Sequence, residues 1–197
     1  MANPPWILLD CDGVLLDWDQ GIVNHAHKHM PQLSPKLQFN QQHWFLWDRF
    51  GISKQESLEL IESFHTSEEY EHLAPLPGAQ AAIDCLSKQF PMAVITACGV
   101  DPRTQCLRTK NLEQAFGNVF AKIICTATSS DKMRYLAEFP PSYWVEDRSE
   151  NAPMGIPFDH ACFLVDAAHN QNFSHTCVIR IKNLLQLVDL IKSNPML

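Results

Sequence analysis

Two sets of acids stand where apolar runs end. Asp10 and Asp12 close the segment Trp6-Ile-Leu-Leu-Asp10-Cys-Asp12-Gly13, and Glu146 and Asp147 close Tyr143-Trp-Val-Glu146-Asp147. An apolar run bounded by a glycine reads as a buried strand, and residues i and i+2 of a strand point to the same side. Asp10 and Asp12 are therefore expected side by side at the strand's end, where two carboxylates repel each other unless a metal, a proton or a substrate intervenes. The adjacent acids Glu146 and Asp147 are costly for the same reason. Hard oxygens from Asp10 and Asp147, completed by waters and a phosphate, suit Mg²⁺. Phosphoryl transfer needs a nucleophile, a metal, cationic or N–H donors, and an acid for the leaving oxygen. Asp10 is the candidate nucleophile, forming an aspartyl-phosphate. Asp12 is the candidate general acid of the first half-reaction and base of the second.

Positioning these groups is the task of an alternating chain. From residue 79 onward, apolar strands alternate with helical segments, the signature of a parallel α/β sheet. Helices are expected over 79–86, from the Asp101-Pro102 cap to Gly117, over 131–139 and over 184–191. Strands are expected over 92–96, 119–125, 143–146, 162–166 and 177–181. Residues 17–75 differ, with aromatic and histidine residues and no long apolar run. Ile22, Val23, Ala26 and Met30 recur at helical spacing before Pro31 and Pro35. Ser53-Lys-Gln-Glu56 is a capping box, with Leu58, Leu60, Ile61 and Phe64 as the apolar face behind it. Pro75-Leu-Pro77-Gly78 is a stiff connector. The fold expected is an α/β doubly wound parallel sheet, a Rossmann-like core over 1–16 and 76–197, interrupted after its first strand by a helical unit over 17–75.

Composition bounds the function. A chain of 197 residues, 46% apolar and 19% charged, suits a soluble globular domain with a small accessory unit. A net charge of -7 without a Lys/Arg-rich run argues against polymeric nucleic acid and anionic membrane as partners. Seven cysteines, an odd number with no C-x-x-C pair, read as reduced core residues of a cytoplasmic protein. No signal peptide or membrane span is expected, because the first apolar run is broken by Asp10 and Asp12. His25 and His29 share a helix face, a spacing that suits zinc. No cysteine or carboxylate lies close to them in sequence, so a solvated helix is expected there. A monomer or homodimer acting on a small phosphorylated substrate is the expected form.

Four apolar residues followed by Asp10-Cys-Asp12-Gly13-Val resemble the first motif of the haloacid dehalogenase (HAD) superfamily of aspartate-nucleophile phosphohydrolases. Thr96 in Val94-Ile-Thr96-Ala97, Lys132 in Ser129-Ser-Asp-Lys132, and Glu146-Asp147 resemble the second, third and fourth motifs, in that order. The resemblance implies that Thr96 hydrogen-bonds the phosphate, with Ala97 reducing the next contact to its backbone N–H. It implies that Lys132 bridges nucleophile and phosphate, that Asp147 binds the metal directly and Glu146 through water, and that the backbone carbonyl of Asp12 completes the protein's share. It also makes 17–75 a cap that closes over the substrate.

Within the superfamily the chain is most similar to the 5'(3')-deoxyribonucleotidases. The similarity rests on Asp-Gly-Val-Leu-x-Asp-aromatic over Asp12 to Trp18, Leu-x-Pro-x-Pro-Gly-Ala over Leu73 to Ala79, Asp131-Lys132, and Phe163 to Asn170. In that family, aromatic residues of the first loop and the cap stack on the nucleobase. Trp18 occupies such a position, and Trp44, Phe45 and Trp47 lie in the corresponding region. Three aromatics in four residues cannot share one helix face, so at least one is expected to be exposed or on a ligand. The function expected is Mg²⁺-dependent hydrolysis of nucleoside 5'-monophosphates. The alternatives are the same chemistry on a sugar or cofactor phosphate, and a HAD-like protein that binds a phosphorylated ligand without turnover.

Overall fold

The computed structural model describes residues 4–33 and 42–193; Pro35 lies outside them. Six strands, β1 (Ile7–Leu9), β2 (Met92–Thr96), β3 (Lys122–Cys125), β4 (Tyr143–Glu146), β5 (Ala161–Val165) and β6 (Val178–Ile181), form one sheet in the order β3-β2-β1-β4-β5-β6. Every pairing is parallel. β1 is central, and Ile7, Leu8 and Leu9 are wholly buried. A strand covered on both faces reads as an unbroken apolar run. Alternate side chains enter opposite layers. Ile7, Leu9, Val94 and Val145 pack with helices α4 (Ala79–Leu86), α5 (Pro102–Phe116) and α7 (Leu184–Ser193). Leu8, Ala93, Ile95 and Trp144 pack with Leu136 and Phe139 on the other face.

From β1 the chain builds first towards β3 and then, from β4, towards β6. Such a reversal leaves a crevice at the carboxyl ends of the strands. Leu9 pairs with Val145, which sets Asp10 level with Glu146 at that crevice.

Between β1 and β2 lie α1 (Trp18–His29), α2 (Leu46–Phe50), α3 (Lys54–His65) and a 3-10 turn (Glu68–His72). The Ser53 hydroxyl accepts from the Glu56 N–H at 3.1 Å, and the Glu56 carboxylate accepts from the Ser53 N–H at 2.7 Å. This is the expected capping box. Behind it Ser57, Leu60 and Phe64 are buried. Leu58, expected on that face, is 50% exposed, because it lies off their i, i+3, i+7 row. His25, expected on a solvated helix, is instead 2% exposed. It lies on the same row as Ile22, Ala26 and His29, the row that faces α3 and the 3-10 turn.

The helical unit and the sheet share one hydrophobic cluster. Polar contacts from α5 reinforce it: Thr104 donates to the His65 carbonyl at 3.3 Å, Arg108 to the Tyr70 hydroxyl at 2.5 Å, and Asn111 to the Leu73 carbonyl at 3.0 Å. The helix expected over 131–139 is shorter: a 3-10 turn (Ser129–Asp131) leads into α6 (Lys132–Leu136). Pro140 and Pro141 follow soon after, and proline cannot continue a helix. All seven cysteines are free. No helix among the described residues is long and apolar enough to cross a membrane.

Candidate active site

Asp10 stands at the end of β1, 7% exposed. The Lys132 ammonium, on the first residue of α6, lies 2.7 Å from Asp10 Oδ1 and 2.6 Å from Glu146 Oε1. Glu146 is wholly buried. Its Oε1 also accepts from the Asn151 amide at 2.8 Å, and its Oε2 accepts the N–H groups of Asp147 at 3.1 Å and Arg148 at 3.0 Å. Four donors fill the acceptor sites of one carboxylate. Glu146 thus anchors Lys132.

Asp147 is differently placed. Its Oδ2 lies 3.3 Å from His169 Nε2, and its carbonyl accepts from His169 Nε2 at 3.0 Å and the Asn170 amide at 2.7 Å. Its Oδ1 is buried without a hydrogen-bond partner. Gly13 makes this approach possible: at φ +77° it occupies the left-handed region, and a Cβ there would fall 2.2 Å from Asp147 Oδ2. Only glycine satisfies both demands.

Asp12 turns away from the three-carboxylate cluster. Arg108 Nη2 lies 2.5 and 2.8 Å from its two oxygens. Arg108 is fully buried, whereas the Asp12 side chain keeps 27% exposure to the crevice. Neither Arg108 nor His169 was singled out from the sequence. Arg108 sits mid-helix, where an arginine ordinarily reads as a solvated charge, and its partner is 96 positions away. His169 lies in a 3-10 turn (Ala168–Asn170), inside the Phe163 to Asn170 segment but at a position to which that pattern assigns no residue type.

Asp10, Asp12, Thr96, Ala97, Lys132 and Asp147 line one cavity of about 310 Å³, and Trp18, Trp44 and Trp47 line it too. Every residue singled out for phosphoryl transfer or base stacking meets there except Glu146, which lies behind Lys132. Trp44 and Phe45 are 37% and 46% exposed; the expected exposure is present, but they precede α2, so helix-face geometry is not its cause. Phe45 stacks on Trp47 with centroids 4.2 Å apart. Trp44 meets His169 edge-on at 4.9 Å and carries the Arg148 guanidinium 4.8 Å from its ring. The Trp18 indole donates to His65 Nε2 at 3.1 Å. Burial and the neighbouring Arg108 push the His65 pKa down to about 3, so this imidazole is a fixed neutral acceptor.

The acids are held at unusual protonation equilibria. Burial, then the charges of Glu146 and Asp147, push Asp10 well up, with Lys132 opposing. Burial raises Asp12, with Arg108 opposing. Burial pushes Asp147 up to about 6, the His169 hydrogen bond opposing and Glu146 adding to the rise. Asp10, Glu146 and Asp147 lie within 4.8 Å of one another, three carboxylates against one ammonium, and one of their oxygens is orphaned. Hard, anionic oxygens in excess of local cations are the donor set of a Mg²⁺ site, so the residues fit that metal.

A pH dependence follows from Asp147. Its folded pKa of about 6 exceeds the ordinary value of about 3.9, so its protonation stabilises the fold below about pH 4, and that contribution is lost as pH rises through about 6. Metal-free protein is expected to show a thermal midpoint that falls across this window. Added Mg²⁺ should flatten the fall. A midpoint that rises over the same window, or one indifferent to Mg²⁺, would contradict this electrostatic reading.

No family model matches the chain. It is 25% identical over 168 residues to an uncharacterised 32.4 kDa protein of Enterobacteria phage T4, encoded in the Gp30-rIII intergenic region; the match covers 84% of this chain and 55% of that one. The chain thus spans about half the length of that relative. Among solved structures, a haloacid dehalogenase-like hydrolase from Streptococcus pneumoniae superposes with a TM-score of 0.68 at 14% identity, over 97% of this chain and 100% of that one. The L-2-haloacid dehalogenase of Xanthobacter autotrophicus superposes with a TM-score of 0.62 at 12% identity, over 98% of this chain and 100% of that one. The chain therefore has the HAD-like fold.

Proposed function

We propose that the protein is a Mg²⁺-dependent phosphomonoester hydrolase of the HAD superfamily, with Asp10 as its nucleophile. The observation that carries this reading is the pairing of Asp10 with Lys132 beside the orphaned oxygen of Asp147. Displacing a halide from a 2-haloacid would require no second acid and no divalent cation. A site with three clustered carboxylates would also repel that anionic substrate. The same excess of negative charge favours a phosphate brought in with a divalent metal.

Asp10 and Asp147 would hold the metal, which would neutralise charge on the phosphate oxygens. Lys132 orients the Asp10 carboxylate and offers its ammonium to the phosphate, while Glu146 holds Lys132 in place. Thr96 and the Ala97 N–H line the cavity where that phosphate would sit. Asp10 attacks phosphorus, the bond to the leaving oxygen breaks, and Asp12 gives that oxygen a proton. Asp12 then takes a proton from water as the water oxygen bonds to phosphorus and the bond to Asp10 breaks, releasing inorganic phosphate. Burial favours the protonated Asp12 and Arg108 the ionised one, opposing influences suited to a group that must do both.

The aromatic wall supports a nucleoside monophosphate as the substrate class, since Trp18, Trp44 and Trp47 face the cavity that holds the acids. The test is Mg²⁺-dependent phosphate release from deoxy- and ribonucleoside monophosphates beside sugar phosphates. Preference for nucleotides is expected. Trp44→Ala should then raise KM about tenfold with kcat little changed, as befits loss of a base–aromatic stack. Hydrolysis confined to sugar phosphates would discard the nucleotide reading. No hydrolysis of any phosphate would leave a phospholigand-binding protein.

A further inference from the structure

A second set of metal-ligating side chains lies in the helical insertion, on the far half of α1. His25 and His29 are one turn apart there, and the turn Glu68–His72 brings Glu69 against both. His29 Nε2 lies 2.9 Å from Glu69 Oε1, and His25 Nδ1 lies 3.5 Å from Glu69 Oε2. The three donor groups fall within 4.8 Å of one another. Tetrahedral zinc with bonds of about 2.0–2.2 Å separates its ligand atoms by about 3.4 Å, so little movement would close the site.

A second observation points to a cation. His25 is 2% exposed, yet its Nδ1 is buried without a hydrogen-bond partner. Its other nitrogen, Nε2, lies 2.9 Å from the Ser63 hydroxyl on α3. If Nε2–H donates to Ser63, the Nδ1 lone pair faces a carboxylate with no proton between them. In that tautomer a bridging cation satisfies the lone pair and the carboxylate together. A metal-bound histidine ordinarily donates its second ring nitrogen to such a neighbour, which makes Ser63 the outer partner. Burial lowers the His25 pKa, keeping the ring in the neutral form that ligation needs. Lys28 Nζ sits 2.5 Å from Glu69 Oε1 but is 66% exposed. Its flexible stem can swing its ammonium aside into water.

We propose that His25 Nδ1, His29 Nε2 and the Glu69 carboxylate form a binding site for a zinc-class divalent ion, with water as fourth ligand. Two imidazoles and a carboxylate suit Zn²⁺ better than Mg²⁺, so the site is chemically distinct from the acidic cluster at the sheet. It joins α1 to the turn Glu68–His72 directly, and to α3 through Ser63. The helical unit shares its hydrophobic cluster with the sheet, and a metal here would add a cross-link among its own elements.

The test is a Co²⁺ and Zn²⁺ titration of the full chain, metal-stripped and then held in excess Mg²⁺ to occupy the acidic cluster. The intense visible absorption of tetrahedral Co²⁺ is expected to saturate at a single equivalent, and Zn²⁺ to displace it and raise the thermal midpoint. His29→Gln and Glu69→Gln, both at partly exposed positions, should abolish the spectrum and the Zn²⁺ shift; if one fails to fold, the other decides. Ser63→Ala should weaken binding roughly 10- to 100-fold. Absence of saturable binding to the wild-type chain would overturn the proposal, as would binding that survives in the folded variants. Spectrum and midpoint are read without turnover, so they stand or fall independently of the phosphatase reading.

Discussion

Asp10→Asn is expected to abolish phosphate release while leaving the protein folded and at least as stable. Loss of a hydrolase's nucleophile lowers turnover by about four orders of magnitude or more. The fold should tolerate the change because the substitution is nearly isosteric and its amide oxygen still accepts from Lys132. It also removes one charge from a cluster whose burial already disfavours ionisation of Asp10. Turnover and thermal midpoint together form the measurement. Ordinary turnover by the variant would remove Asp10 from the role of nucleophile. Loss of both turnover and folding would mean that the Asp10 charge is structural.

Lys132→Met should lose both. Lys132 is 1% exposed, and without it Asp10, Glu146 and Asp147 share a buried space with no ammonium. Breaking a buried ion pair by removing one partner costs about 3–5 kcal/mol. Burial lowers the Lys132 pKa, but the charges and hydrogen bonds of Asp10 and Glu146 outweigh it and raise it overall. A raised lysine pKa contributes stability that is complete below its ordinary value of about 10.4 and lost as pH rises through the higher folded value. At neutral pH the wild type therefore has the full contribution. In the variant, Asp10 and Asp147 lose the lysine charge that lowers their pKa and should take up protons more readily, so its deficit should shrink as pH falls from about 8 to about 5. Urea unfolding at those two pH values measures it. A deficit that stays constant with pH would show that Lys132 contributes packing and little charge. Mg²⁺ should restore part of the stability and little of the activity, because it cannot replace the bridge from Glu146 to Asp10.

The two variants separate what the paired residues do. Asp10 supplies the reacting oxygen, whereas Lys132 supplies the charge that makes a buried acid at that position tolerable. Glu146 completes the arrangement from behind, its four donors fixing the one carboxylate that never reaches the cavity. Arg108 plays the corresponding part for Asp12 on the opposite side, and through Tyr70 it ties that acid to the helical insertion.

The sequence by itself determined the sheet and the positions at its edge. A strand buried on both faces must be an apolar run, and a polar residue closing that run must lie at the strand's end. Asp10, Thr96 and Asp147 were legible for that reason, and Lys132 was legible as the first residue of a helix. The capping box at Ser53 and Glu56 was legible because its hydrogen bonds span three residues. Tertiary structure alone decided the rest, because long-range contacts leave no period in the chain. It turned Asp12 towards an arginine 96 positions away, saturated Glu146 with donors, and left one oxygen of Asp147 unpaired. It also brought Glu69 to His25 and His29, where the local sequence offered the histidines no acid. Local spacing fixes which face of an element a side chain occupies; only the packing of distant elements decides what that face meets.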